Sequence, residues 1–309
     1  MHSAVLYPEE YLAQGNMGRH ETFTPRYGWL VKGCRAVQED PHIFRAPDAI
    51  EHLGVGKNMV VAIRFWCLCC KLIQPGSGGA CQLTELAQKL FTGPAAYDPY
   101  LEDEGTLWLL HWQIFLPRLE AVSWPLAFNK CQLTSFDTRQ LAWMLYQAGQ
   151  KYERWQGISP TTWERDASCL LRMYADDRAA GDIDCPFTRL GLLQRVPGSN
   201  QFAFHTGEKP GLPPLIFAAA CFSYMQHYSG QGVRTITLQK LSYDFNSPGV
   251  VFKIPESAAG SLLEQAAEMM PLFSLEHVAG NVQLHLREKN LTPEHLYWLA
   301  LEEYYKESI

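Results

Sequence analysis

The chain is 309 residues long, 47% hydrophobic and 19% charged, with a formal net charge of −6. That much apolar content can bury a sizeable core, which excludes disorder as the main state. No run of 18 apolar residues occurs, the longest being interrupted by Arg64 or His111, and the first twenty residues carry Glu9 and Glu10 without an apolar core, so neither a transmembrane helix nor a secretory signal is expected.

From Gly18 to Asp48, Pro25, Gly28, Gly33, Pro41 and Pro47 alternate with aromatic residues, which predicts short extended pieces and turns and no long helix. From Gly56 to Ile73 apolar residues recur at Val60, Ile63, Cys67 and Cys70, a helical spacing that ends in a flexible turn at Pro75–Gly79. Thr84 is placed to cap a short helix reaching Phe91, and Thr106–Leu116 reads as a buried helix. A long helix, a turn, a short capped helix and a further helix predict a helix-turn-helix unit here.

Pro117, Pro125 and Thr134 break the pattern and predict a boundary within residues 117–135. Two helices are expected over 137–180, separated by Ile158-Ser159-Pro160-Thr161, then a strand-turn-strand over Phe187–His205 around Pro197–Asn200. Helix returns over Pro214–Tyr228 and briefly over Leu238–Tyr243. The β-branched run Val250–Ile254 predicts a strand. Phe273–Glu276 and Val282–Leu286 flank Ala279-Gly280-Asn281 as a hairpin, and Thr292-Pro293-Glu294 opens the last helix.

Several blocks carry a resemblance. They are His20-Glu21-Thr22-Phe23-Thr24-Pro25-Arg26-Tyr27-Gly28-Trp29-Leu30, Val55-Gly56-Lys57-Asn58-Met59, Asp98-Pro99-Tyr100-Leu101-Glu102-Asp103 with Thr106–Trp112, and Ser247-Pro248-Gly249 with Phe252. In this order, over residues 20 to about 255, they resemble the domain-of-unknown-function family 4007. Members of that family sit beside enzymes resembling phosphoadenosine-phosphosulfate reductases, in bacterial systems that replace a non-bridging phosphate oxygen of DNA with sulfur. One member is described as a DNA-nicking component. The resemblance therefore implies a DNA-directed role, with DNA and such a modification enzyme as partners.

Charge places the contact. Residues 1–75 hold eight Lys/Arg against seven Asp/Glu, whereas the remaining 234 hold 18 against 25. A DNA contact is therefore expected in the N-terminal region, through His20, Arg26, Lys32, Lys57 and Asn58. Gly54-Val55-Gly56-Lys57-Asn58 is not a P-loop, because Glu51 stands where Gly is needed and Asn58 where Ser or Thr is. Gly56 can still open a helix whose free N–H groups, with Lys57 and Asn58, hold a phosphate; the plain alternative is a glycine turn beside a solvated lysine.

His20, Glu21 and Arg26 admit two readings. One is proton transfer, metal binding and phosphate clamping; the other is mutual bracing, for example by a His–Glu hydrogen bond. Asp98, Glu102 and Asp103 are the densest acid group beside apolar sequence. Glu102 and Asp103 are candidate Mg²⁺ ligands for DNA cleavage, with Glu21 completing the site if the loops meet. Acids before a helix are equally what its dipole favours. His111 reads as a core histidine. Cys67, Cys69 and Cys70 read as packing residues, since no second cysteine pair supports zinc. Nine cysteines without regular spacing predict a reducing, cytoplasmic setting.

The expected fold is mainly α with small β hairpins in winged-helix-like units: residues 1–125 as one such domain with a basic loop, 126–210 as a helical middle segment, and 211–309 as a second such domain. The expected function is DNA binding in a phosphorothioation system, with metal-dependent nicking, possible as a homodimer. The alternatives are a non-catalytic DNA-binding adaptor and a protein scaffold.

Overall fold

A computed structural model of the chain describes residues 8–175, 185–228 and 232–307. It is mainly helical with small antiparallel sheets, the class expected, and divides into two compact units: residues 12–204, and residues 205–309 with 1–11. A short α1 (Pro8–Ala13) precedes α2 (Trp29–Glu39), α3 (Ala49–Leu53) and α4 (Lys57–Cys69). The hairpin of β1 (Ile73–Pro75) and β2 (Cys81–Leu83) follows, in the register Ile73↔Leu83. Next come α5 (Glu85–Ala87), α6 (Glu104–Ile114), α7 (Ser123–Lys130), α8 (Thr138–Gly149), α9 (Pro160–Tyr174), and the hairpin of β3 (Leu193–Arg195) with β4 (Phe202–Phe204).

Local chemistry explains most of these starts. Thr84 accepts the Ala87 N–H before α5, Asp137 and Gln140 close a capping box on α8, and Ser159 with Pro160 opens α9. The second helix expected up to residue 180 is described only as far as Tyr174, and residues 176–180 lie outside the described residues. Trp66, Trp108, Trp112, Trp124 and Trp163 are all fully buried, so this unit is organised around indole rings.

Three expectations are corrected in residues 12–204. The 18–48 region contains an 11-residue helix, α2. Gly28 stands before it in the left-handed region (φ 76) and turns the chain into the helix. Gly33 sits inside α2 because α4 passes so close that a Cβ there would lie 2.5 Å from Cys67 Sγ. The helix-turn-helix expected over 56–116 is interrupted by the β1–β2 hairpin. Residues 117–135 carry α7, with Pro125 in the first turn, where its missing N–H costs nothing.

In the other unit, α10 (Pro214–Tyr228), β5 (Thr235–Thr237), α11 (Leu238–Tyr243), α12 (Pro248–Phe252) and α13 (Glu256–Met269) lead to β6 (Phe273–Val278), β7 (Asn281–Leu286) and α14 (Pro293–Glu307). The sheet order is β5–β7–β6, all antiparallel. Ala279 and Gly280 both have positive φ (49° and 82°), the twist a two-residue hairpin requires. The Thr292 hydroxyl accepts the His295 N–H and caps α14.

The strand expected at 250–254 is a helix. Pro248 occupies the first turn of α12 and Val251 and Phe252 are buried, while a Cβ on Gly249 would meet the Ser242 backbone at 2.6 Å. Close packing on α11 overrides β-branching here.

Candidate nucleic-acid interface

The loop before α2 is tied to α9 through one carboxylate. Asp166, 1% exposed on α9, accepts the Gly18 N–H (3.0 Å) and faces His20 Nε2 (2.9 Å) with Oδ1; its Oδ2 accepts the Ser123 hydroxyl at 2.6 Å. The Thr22 N–H donates to His20 Nδ1 at 3.1 Å, which assigns the ring proton to Nε2, facing Asp166. His20 is itself 1% exposed and stacks on Trp66.

The bracing partner of His20 is therefore Asp166, not Glu21. Glu21 and Thr22 are held with positive φ (52° and 66°), a costly conformation for non-glycine residues. Arg172 donates to Thr22 O and Trp66 Nε1 donates to Phe23 O, which holds the loop in that shape.

The basic candidates fall at helix boundaries. The Arg26 guanidinium lies over the Phe23 and Trp29 rings (5.8 and 5.5 Å to the centroids). Lys32 Nζ donates to Leu53 O, the last carbonyl of α3, at 3.1 Å. Lys57 and Asn58 are exposed on the first turn of α4, where Gly56 offers no capping side chain, and the Met59 and Val60 N–H groups donate to Gly56 O. Arg45 lies across Gly79 of the β1–β2 hairpin, where a Cβ would collide with its guanidinium.

The acids at 98–103 are built into a turn. Asp98, 5% exposed, accepts the Glu102 N–H (2.8 Å) and the Asp103 N–H (3.2 Å), and Asp103 Oδ1 accepts the Thr106 N–H at 3.2 Å, capping α6. Glu102 is exposed. Among the described residues no group of three or more His, Cys, Asp or Glu is placed to hold a metal. Arg35 of α2 donates to Pro99 O at 2.8 Å, so this turn and the Lys32 helix meet.

Arg35, Tyr100, Ser123 and Asp166 were not singled out from the sequence. For Asp166 a signal existed: it stands between Trp163, Ala167 and Leu170, an acid on the apolar face of a helix.

His111 is buried, with Nδ1 2.8 Å from the Tyr174 hydroxyl, as expected of a core histidine. Burial pushes the Cys69 thiol up to about 12 and the Cys70 thiol well above its usual range; a hydrogen bond with Cys34, then burial, does the same for Cys67. Such thiols are neutral and poorly nucleophilic. Cys67→Ala with Cys70→Ala is accordingly expected to cost about 1–3 kcal/mol in urea unfolding without stoichiometric zinc or iron in the parent. One bound metal per chain would refute this.

A model of the family described as Protein of unknown function (DUF4007) matches residues 17–305. A crystal structure of SspB is similar at a TM-score of 0.86 and 32% identity, covering 96% of this chain and 90% of that one. A magnesium ion-bound crystal structure of SspB is similar at a TM-score of 0.86 and 31% identity, with the same coverage. No curated protein sequence matches the chain.

Proposed function

The chain belongs to the DUF4007 family, and on that premise we propose that it is a cytoplasmic, DNA-binding component of a bacterial phosphorothioation system that nicks DNA to assist sulfur insertion. The observation that carries this reading is the likeness to SspB across nearly the whole chain, joined to the exposed Lys57 and Asn58 at the start of α4, which has no capping side chain. We read α2–α3–α4–β1–β2 as a winged-helix-like unit, with α4 as the groove-facing helix and the hairpin beside Arg45 as its wing. The other unit has the same character: α11 and α13, then the hairpin β6–β7, with β5 completing the sheet.

Charge separates the two units. Residues 12–204 hold 19 Lys/Arg and 19 Asp/Glu, whereas 205–309 hold seven and eleven. α13 carries Glu256, Glu264 and Glu268 without a lysine or arginine. DNA is therefore assigned to the N-terminal unit, and the acidic unit is assigned to protein contact, with the reductase-like modification enzyme or a second copy of this chain.

Mg²⁺ is the metal proposed, held by the exposed Glu102 and by Asp103; among the described residues Glu21 is not brought into a three-acid group with them, so it is not proposed as a further ligand. Two carboxylates with waters and a phosphate oxygen suit this ion, which would polarise the scissile phosphate. Asp103 caps α6 with Oδ1. That structural use, with the acidity of the second unit, favours the adaptor as second reading.

Incubation of purified protein with supercoiled plasmid, with Mg²⁺ or with chelator, tests the enzyme: nicking only with Mg²⁺ is expected, and an intact plasmid in both removes the nickase. For binding, Arg26→Ala with Lys57→Ala is expected to weaken duplex affinity and to lower the slope of log affinity against log salt by about 0.9 for each phosphate lost. An unchanged slope would move the contact elsewhere.

A further inference from the structure

Between α2, the end of α3 and the 98–103 turn lies a cavity of about 370 Å³, lined among others by Lys32, Arg35, Glu39, His52, Leu53 and Tyr100. Tyr100 is 67% exposed, far more than an aromatic ring needs for packing, yet its backbone is held firmly. The buried Asp98 carboxylate takes the Glu102 and Asp103 N–H groups, the Leu101 N–H donates to Asp98 O, and Leu101 is buried with φ 59. The Arg35 guanidinium lies 5.4 Å from the Tyr100 centroid and is tied to Pro99 O, covering one side of the ring. The rest of that ring faces solvent.

Around the ring the charges favour an anion. Lys32 uses one hydrogen bond on Leu53 O and Arg35 one on Pro99 O, so both keep donors to spare. Glu39, the acid of the lining, pairs with His52 at 3.2 Å. A rigid, solvent-facing ring beside two cations with spare donors is how proteins hold a base and its phosphate out of a duplex.

We propose that this cavity holds one unpaired nucleotide of a DNA strand, its base stacked on Tyr100 and its phosphate between Lys32 and Arg35. This rests on the reading of the chain as a DNA-acting protein and adds which form of DNA it grips. An unpaired nucleotide is what a nick or an opened strand presents, so the site would hold the strand end next to the α4 contact.

The test uses the full chain and a dye-labelled oligo-dT strand, with a fully paired duplex of equal length as comparison. Tyr100→Ala is expected to weaken strand binding about tenfold, the effect of losing one stacked base, and to leave duplex binding within about twofold. Tyr100→Phe keeps the ring and should bind the strand as the parent does. Lys32→Ala should lower the salt slope on the strand by about 0.7. A strand carrying 2-aminopurine should lose fluorescence on the parent and on Tyr100→Phe, and not on Tyr100→Ala. A folded Tyr100→Ala protein that binds the strand as tightly as the parent overturns the proposal. A parent that binds duplex and no single strand overturns it while leaving the DNA-binding reading intact; a parent that binds neither overturns both.

Discussion

Replacing Asp166 with alanine is expected to destabilise the protein by about 3–5 kcal/mol, enough to unfold a domain of ordinary stability at modest urea. The carboxylate is buried and serves three groups from three places in the chain: the Gly18 N–H, His20 and the Ser123 hydroxyl. Removing it leaves three donors without this acceptor, and for the two on the buried His20 and Ser123 the desolvation cost is about 1–3 kcal/mol each. The substitution also frees a loop whose Glu21 and Thr22 are held at positive φ, so the backbone beside Arg26 should relax. Asp166→Asn should fall between parent and Asp166→Ala, because its amide keeps one acceptor oxygen but turns an NH₂ toward a donor. Urea unfolding followed by circular dichroism measures this. An Asp166→Ala protein within about 1 kcal/mol of the parent would show that water replaces the carboxylate.

Mg²⁺-dependent nicking of supercoiled plasmid should fall by roughly a hundredfold or more in Asp103→Asn, and likewise in Glu102→Gln, if these carboxylates hold the metal. Asp103 has two duties, and the substitution separates them. Its Oδ1 accepts the Thr106 N–H at the start of α6, and asparagine caps a helix about as well as aspartate. Thermal stability should therefore stay near that of the parent while the charge is lost. Asp103→Ala removes the cap as well and should cost about 1 kcal/mol in addition. A folded Asp103→Asn protein that nicks at the parent rate would leave Asp103 as a helix cap alone. If the parent does not nick either, the adaptor becomes the better reading.

Much of the secondary structure was legible in the sequence because its causes are local. A hydroxyl or carboxylate three residues before an amide, a proline in the first turn, and Ala279-Gly280 between alternating residues identify the starts of α5, α8, α9 and α14 and the β6–β7 hairpin. The family, too, was legible, in the blocks around His20, Val55 and Asp98. Where the local signal pointed one way and packing the other, the sequence misled: Gly33 looks like a breaker until α4 is seen to occupy the space of its missing side chain, and Val250–Val251 look like strand until Gly249 is pressed on α11.

The candidate site divides in the same way. Lys57 and Asn58 at the opening of α4 were visible from Gly56 alone, since a helix start is a local event. That His20 faces Asp166, 146 residues away, that Lys32 closes the end of α3, and that Arg35 lies against Tyr100 are pairings no spacing rule encodes. Each depends on which helix faces which, decided by the burial of the tryptophans and the close approach of α2 to α4. Only the tertiary structure could therefore turn His20 from a candidate ligand into an anchor, and Tyr100 from one aromatic among many into the wall of a cationic pocket.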